Sequence, residues 1–155
     1  MKSDIGLDKA TRERIGASLG PVLADTYVLY LATHNFHWNV TGPMFQTLHA
    51  LFMTQYNALW LAMDEIAERM RTLGVRAPGN GSELARLTHL KEPDGAPAAL
   101  DMVKYLHEAH ETVVRALREA IVAPEQARDS VTVDLLTRRM VEHEKTAWML
   151  RSMLE

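Results

Sequence analysis

The chain has 155 residues, 17 Lys and Arg against 20 Asp and Glu, a formal net charge of −3, and 47% hydrophobic residues. These values are typical of one globular domain with a real core and exclude a disordered chain. The absence of cysteine excludes a disulfide framework, a thiolate zinc site and a cysteine nucleophile. Neither a signal-like start nor an apolar run of membrane-spanning length is evident, so we expect a cytoplasmic protein without a membrane partner.

The first long helix is predicted over Leu19–Trp38, where apolar residues recur at helical spacing. We expect Gly20-Pro21 to start or bend it, which makes residues 1–18 a short N-terminal extension of a single domain over 1–155. A second helix is predicted over Pro43–Leu73, whose apolar residues follow the three/four spacing of one buried stripe. The short turn between the two helices predicts antiparallel neighbours.

Residues 74–97 hold repeated Gly and Pro, which predicts a long connection, and Ser82–Leu87 within it has the pattern of a short capped helix. Two more helices are predicted over Ala98–Val122 and Ser130–Leu154, with Pro124 breaking the chain between them. Strand patterns are nearly absent. The sequence therefore predicts an all-α four-helix bundle with a long connection, containing a short helix, between helices two and three.

Without cysteine, the side chains that can bind a metal ion are His, Asp and Glu. His34, His37 and His49 precede Asp64 and Glu68 of the second helix. On a helical wheel His49, Asp64 and Glu68 share one flank, yet His49 and Asp64 lie roughly 22 Å apart along the axis. Because ligand bonds are about 2 Å long, one straight helix cannot join these residues through a single metal ion.

A second, antiparallel copy of the same helix would bring these groups together. About a two-fold axis, facing residues have numbers with a constant sum, and His49 with Glu68 has the same sum as Met53 with Asp64. A dimer would place His49 of one chain beside both acids of the other, with His37 across the short turn. Such ligands suit divalent iron, with zinc or manganese as alternatives. Solvated acids and a structural histidine are the competing interpretation.

Several segments of the sequence resemble the Dps family of ferritin-like mini-ferritins. They are HNFHWNV at 34–40, TLH at 47–49, MDEIAER at 63–69 and EHEKTAWMLR at 142–151. The resemblance covers nearly the whole chain from Leu19.

That resemblance implies a homo-oligomer, a dodecameric hollow shell built from two-fold dimers with an intersubunit ferroxidase site. The positions that match the ligands are His37 and His49 of one chain and Asp64 and Glu68 of the other. Such a site oxidises Fe(II), preferably with hydrogen peroxide and otherwise with O2, and the ferric mineral is stored inside, which protects DNA. Trp38 matches the family's tryptophan near the site and could intercept oxidising equivalents, but core packing is the favoured explanation for Trp38 and for Trp60.

One position departs from the family pattern. Four residues after the second histidine the family has Asp or Glu, and this chain has Met53. A thioether is a soft, neutral ligand that suits iron poorly, so we expect ferroxidase activity weakened by the loss of one carboxylate. His34 is a candidate ligand that would compensate, and a buried structural histidine is the equal alternative.

Further residues match the family or offer weaker metal sites. Asp129 and Asp134 match the acids of the family's ion pores, with helix capping or simple exposure as the alternative. His107 and His110 could place two imidazoles one turn apart. The in-bundle di-iron site of larger ferritins needs Glu-x-x-His, which does not occur in the chain. We therefore favour a structural or solvated role for both histidines.

The charge and the motifs leave several functional alternatives. A shell of acidic chains repels DNA at long range, so we expect chemical protection without direct DNA binding, in the cytoplasm or at the nucleoid. A non-catalytic metal-binding or DNA-associated shell, impaired by Met53, is one alternative, and iron-dependent peroxide consumption would distinguish it. A stand-alone bundle metalloprotein using His107 and His110 is another, and size exclusion would distinguish that.

Overall fold

The structure is a computed structural model that describes residues 3–155, so Met1 and Lys2 of the predicted extension lie outside the described residues. Six helices follow in chain order: α1 (Lys9–Asn39), α2 (Phe45–Thr72), α3 (Gly81–Leu87), α4 (Ala99–Ala120), α5 (Val122–Gln126) and α6 (Ser130–Arg151). Residues 3–155 contain no strand. The predicted all-α four-helix bundle, with a short helix in the connection between the second and third long helices, is confirmed.

The first helix is longer than its sequence pattern predicts. It begins at Lys9, where the Asp8 side chain accepts a hydrogen bond from the backbone N–H of Thr11. It then continues through Pro21, so of the two expected effects of Gly20-Pro21, a start and a bend, the start is wrong and the bend stays a prediction. Ile15, ahead of the proline, is fully buried in the core, and this burial outweighs the hydrogen bond that proline cannot donate.

The prediction that Pro124 breaks the chain between the last two long helices agrees with the structure, since α4 ends at Ala120 and α6 begins at Ser130. Pro124 itself lies inside the short helix α5, which the sequence did not predict. It occupies the first turn of α5, where backbone N–H groups have no partner within the helix, so its missing donor costs little. Asp129 then caps α6 through a bond from the backbone N–H of Thr132, and the start of the last helix at Ser130 is as predicted.

The four long helices pack in pairs. α1 lies against α2, α4 lies against α6, and α1 also contacts α4, whereas α2 and α6 touch little. The core between them includes Phe36, Phe52, Leu106 and Leu136, all fully buried. α1 is long and apolar enough to cross a membrane, with a mean hydropathy of 1.3 over 18 residues, but 67% of that window is buried in the bundle. It is a core helix.

A buried carboxylate anchors the connection between α2 and α4. Asp25 of α1 is fully buried, and its Oδ1 accepts hydrogen bonds from the Thr88 hydroxyl at 2.8 Å and the His89 backbone N–H at 2.6 Å. Its Oδ2 lies 2.8 Å from His89 Nδ1. Because three groups converge on this one carboxylate, the middle of the connection is held against the bundle.

Candidate metal centre

Two predicted ligands meet across the turn that joins α1 to α2. His37 lies in the last turn of α1 and His49 near the start of α2, and Gly42 provides the positive φ of 99° that the turn needs. The two imidazoles are stacked, with ring centroids 3.8 Å apart and planes inclined by 20°. The structure therefore brings these two side chains together within one chain.

The hydrogen bonds of the two imidazoles are reciprocal. His37 Nδ1 lies 2.7 Å from the carbonyl oxygen of His49, and His49 Nδ1 lies 2.8 Å from the carbonyl oxygen of His37. A carbonyl oxygen only accepts, so each Nδ1 carries a proton, and in the neutral form of such a ring the lone pair is on Nε2. Metal-binding histidines have this arrangement, with the second nitrogen held by a backbone carbonyl.

His34 lies beside this pair on the same face of the bundle. Its ring stacks on Tyr56, with centroids 3.9 Å apart, and lies 4.2 Å from the ring of Trp38. Its Nδ1 is 3.1 Å from the Tyr30 hydroxyl, and its ring centroid is 6.1 Å from that of His37. Burial, followed by the neighbouring His37, lowers the pKa of His34. A neutral third imidazole therefore lies next to the other two.

The predicted acidic ligands lie at a distance from these histidines. α2 is unbroken from Phe45 to Thr72, so Asp64 lies roughly 22 Å along the axis from His49 and Glu68 farther still. Both acids are exposed. Within the described residues of one chain, no three His, Asp or Glu side chains are placed to hold a metal ion. One chain alone therefore supplies only part of the predicted site.

Several large apolar side chains on or near α2 are exposed in one chain. Met53, one turn after His49, is 45% exposed, and Trp60, farther along α2, is 58% exposed. Trp38, at the end of α1, is 62% exposed, so the core packing expected of both tryptophans is wrong. Exposed large apolar side chains are typical of a surface that a partner covers.

The two predicted pore acids have different surroundings. Asp129 is buried, and both its carboxylate oxygens lie 2.8 Å from Arg69 Nη2. Burial alone would raise the pKa of Asp129, but hydrogen bonds from Thr132 and Arg69 bring it below its ordinary value. Asp134 is exposed and pairs with Arg138 at 2.9 Å. Asp129 thus acts as a helix cap and ion-pair partner in one chain, and the pore role of both acids stays a prediction.

Sequence reasoning missed His143 of α6. Its Nδ1 lies 2.8 Å from Nδ1 of His110 in α4, and both residues are buried. The predicted partner, His107, instead faces the carbonyl of Ala147, 3.1 Å from its Nδ1. Burial, then the nearby Arg139, lowers the pKa of His110 to about 3. The only feature of the sequence that could have indicated the pair is a histidine on an apolar helical stripe. That feature does not show which residue, 33 positions away, is its partner.

This buried pair predicts loss of stability in mild acid. The folded-state pKa of His110 is about 3, and that of His143 is also lowered, chiefly by burial, whereas the unfolded chain titrates near 6.5. Below about pH 6.5 the unfolded state binds more protons than the folded state. Each histidine therefore lowers the free energy of unfolding by up to about 1.4 kcal/mol for every unit by which the pH falls. Urea unfolding between pH 7 and 5 measures this slope. We expect a shallower slope for His110→Gln, and an unchanged slope would contradict the interpretation.

Comparisons with known proteins bear on the whole chain. A family model described as a ferritin-like domain matches residues 17–155. The fold superimposes on the Dps protein from Vibrio cholerae O1 with a TM-score of 0.94 at 29% identity, covering 100% of this chain and 98% of that one. For DpsC from Streptomyces coelicolor the TM-score is 0.95 at 30% identity, covering 100% and 91%.

Two relatives extend the comparison at the level of sequence. DNA protection during starvation protein 2 of Bacillus anthracis is 35% identical over 136 residues, covering 88% of this chain and 93% of the relative. An uncharacterized low temperature-induced protein of Nostoc sp. is 41% identical over 154 residues, covering 98% and 86%. The helical bundle and the family match together define a ferritin-like protein. Within that class, the chain belongs to the Dps family.

Proposed function

We propose that this protein is an iron-storage mini-ferritin that oxidises Fe(II) at sites shared between two chains and stores the ferric product. The observation that carries the proposal is the reciprocal bonding of His37 and His49, which places a proton on each Nδ1 and leaves each Nε2 as the atom that can bind a divalent ion. The names of relatives, such as DNA protection during starvation protein 2, support a role in protecting DNA.

The proposed site needs a second copy of the chain. Asp64 and Glu68 are exposed and too far along α2 to meet the histidines of their own chain. An antiparallel α2 about a two-fold axis brings them to the partner's imidazoles and buries Trp60 and Met53. Two carboxylates then balance much of the charge of the ion, which neutral imidazoles alone do not. We propose that such dimers assemble further into a dodecamer.

In the proposed reaction two Fe(II) ions are oxidised and one hydrogen peroxide is reduced. Each iron gives up one electron, and the peroxide O–O bond breaks as it takes both. With two further water molecules the products are two ferric oxyhydroxide units and four protons. Consuming Fe(II) and peroxide together removes both reactants that produce hydroxyl radicals, so DNA is protected without being bound. O2 is the alternative oxidant, and zinc or manganese could occupy the same ligands.

His34 and Met53 set the strength of the proposed site. The neutral ring of His34 lies 6.1 Å from His37 and is the candidate for a further ligand in place of the missing carboxylate. Met53 offers a soft sulfur where a hard anionic oxygen would bind iron better. We therefore propose a working ferroxidase with weaker binding of a second iron.

Anaerobic titration with Fe(II), followed by peroxide and recording of the ferric absorbance, tests the proposal on the assembled protein. We expect saturable Fe(II) binding and a consumption of about one peroxide for every two irons, as the electron balance requires. Tight metal binding without peroxide consumption would instead support the non-catalytic shell. A monomer in size exclusion would contradict the shared site.

Met53→Glu should strengthen the site. The new carboxylate stands one turn from His49 and supplies a hard anionic ligand, so we expect tighter Fe(II) binding or faster oxidation by about 10-fold, as a single hydrogen-bonded charge commonly gives. Stopped-flow absorbance measures the rate. Thr54→Glu adds the same charge at the next exposed position and serves as the control. Identical kinetics for both variants and the wild type would count against the ligand role of position 53.

A further inference from the structure

A cavity opens between α2 and α6, where these two helices touch little. It has a volume of about 580 Å³, many times the roughly 30 Å³ of a liquid water. Its lining includes Gln55 of α2, His110 of α4, and Arg139 and His143 of α6. None of the proposed iron ligands lines it. The cavity is therefore separate from the candidate metal centre.

Three polar atoms in this lining are buried and have no hydrogen-bond partner among residues 3–155. They are Nε2 of His110, Oε1 of Gln55 and Nε of Arg139. A buried polar atom without a partner costs about 1–3 kcal/mol, so three around one cavity point to a bound species that satisfies them.

The histidine pair determines which hydrogen bonds that species must make. Both rings are neutral at pH 7 because burial lowers their pKa, and only one proton can lie between the two Nδ1 atoms, 2.8 Å apart. The ring that donates this proton has a bare Nε2, and the ring that accepts it has an Nε2–H. The pair therefore always offers one donor and one acceptor on its outer nitrogens.

Arg139 determines the charge of the species. Burial lowers the pKa of Arg139, but a guanidinium stays charged at neutral pH. Its neighbour Arg138 is already paired with Glu65 and Asp134, whereas the Nε of Arg139 has no partner. A cation beside this guanidinium would be repelled. The nearby Glu142 and Glu65 act on its charge, but no ion pair joins either acid to Arg139 among residues 3–155, so an anion could bind the guanidinium directly.

We propose that this cavity binds a hydroxyl-bearing oxyanion of the phosphate class. Its oxygens accept from Arg139 and from the Nε2–H of the histidine pair, as guanidinium groups commonly bind phosphate. Its hydroxyl donates to the bare imidazole nitrogen or to Gln55 Oε1. Glu65 and Glu142, which also line the cavity, oppose an anion. The charge of Glu65 is already balanced by its ion pair with Arg138. Glu142 is exposed, and its carboxylate repels the anion and lowers the affinity for it.

Isothermal titration calorimetry of the iron-free, assembled protein with inorganic phosphate at pH 7 tests the proposal, and it does not depend on iron oxidation. Sulfate is the critical comparison because it matches phosphate in shape but carries no hydroxyl at this pH. We expect phosphate to bind at one site per chain and sulfate to bind about 10- to 100-fold more weakly, since the acceptor nitrogen lacks a donor. No heat of phosphate binding, or equal affinity for sulfate, would overturn the proposal.

Variants of three residues locate the site. We expect Arg139→Gln to weaken phosphate binding about 10- to 100-fold, with folding checked by circular dichroism. Arg118→Gln removes an equal charge from an exposed residue that pairs with Glu144 and does not line the cavity, and its affinity should stay within about threefold of wild type. Glu142→Gln should bind phosphate more tightly. Equal losses for Arg118→Gln and Arg139→Gln would overturn the assignment of Arg139.

Discussion

Replacing His49 by Ala is expected to lower the rate of peroxide-dependent Fe(II) oxidation by at least about 100-fold, since even outer-shell changes at metal sites cost 10- to 100-fold. The variant removes one proposed imidazole ligand and also the N–H that the carbonyl of His37 accepts. The remaining ring of His37 loses its stacked neighbour but keeps its hydrogen bond to the backbone carbonyl of residue 49, so the main loss is the ligand itself. Stopped-flow measurement of the ferric absorbance gives the rate.

His107→Gln is the matched control for this experiment. His107 also faces a backbone carbonyl on a neighbouring helix, 3.1 Å from Nδ1, but it lies outside the proposed site. We expect its rate to stay near that of the wild type. A loss of rate as large as that of His49→Ala would mean that the defect is structural rather than a missing ligand.

Mixing two inactive variants tests whether the site is shared. In a dimer of two His49→Ala chains both sites lack the imidazole, and in a dimer of two Glu68→Gln chains both sites lack the carboxylate. In a two-fold dimer of one with the other, both changes fall in one site and the second site is intact. Random re-pairing of equal amounts should therefore restore about a quarter of the active sites. A mixture as inactive as its components would contradict a site formed by both chains.

Arg69→Met is expected to lower the free energy of unfolding by about 3–5 kcal/mol, because it leaves the carboxylate of Asp129 buried without its counter-charge. Arg69 and Asp129 side chains are only 12% and 3% exposed, and they are joined at 2.8 Å. Arg69 also donates to the hydroxyl of Thr132 at 2.8 Å. This is a contact between α2 and α6, so its loss also removes one of the links between the two helices.

Urea unfolding at fixed protein concentration measures this effect. The control is Arg138→Met, because the pair of Arg138 with Glu65 also joins α6 to α2 at 2.8 Å but is about half exposed on both sides. Exposed pairs contribute about 0–1 kcal/mol, so the control should change stability little. The double variant Arg69→Met/Asp129→Asn should recover part of the loss. Equal effects of the two single variants would refute the argument from burial.

How far the sequence predicts this molecule depends on whether the information is local. The apolar stripe of α2 lies within one helix, so its period predicted the element from Pro43 to Leu73 within a few residues of the observed Phe45–Thr72. The length of α1 could not be predicted in the same way. Pro21 carries a local penalty, while the burial of Ile15 that outweighs it depends on helices far along the chain.

The same distinction between local and long-range information applies to the candidate site. The motif around His37 and His49 predicts their approach because only a short turn separates them. The reciprocal carbonyl bonds require coordinates. The partners of His110 and Asp129 lie 33 and 60 residues away, and which residues of two packed helices face each other cannot be derived from either helix alone. Asp129 matches a pore position in sequence, but its burial against Arg69 depends on that helix packing.

The carboxylate of Asp25 has a consequence for engineering this chain. Its hydrogen bonds hold Thr88 and His89 against α1 and so divide the span from Leu73 to Ala98 into two shorter loops. Closing either short loop costs less conformational entropy than closing the whole span at once. The first half carries α3, which packs on α1, whereas 91–97 is mostly exposed. An epitope tag inserted beside Asp94 should therefore leave the bundle intact. The same insertion before Thr88 would weaken the hydrogen bonds of Thr88 and His89 to Asp25 and loosen the packing of α3.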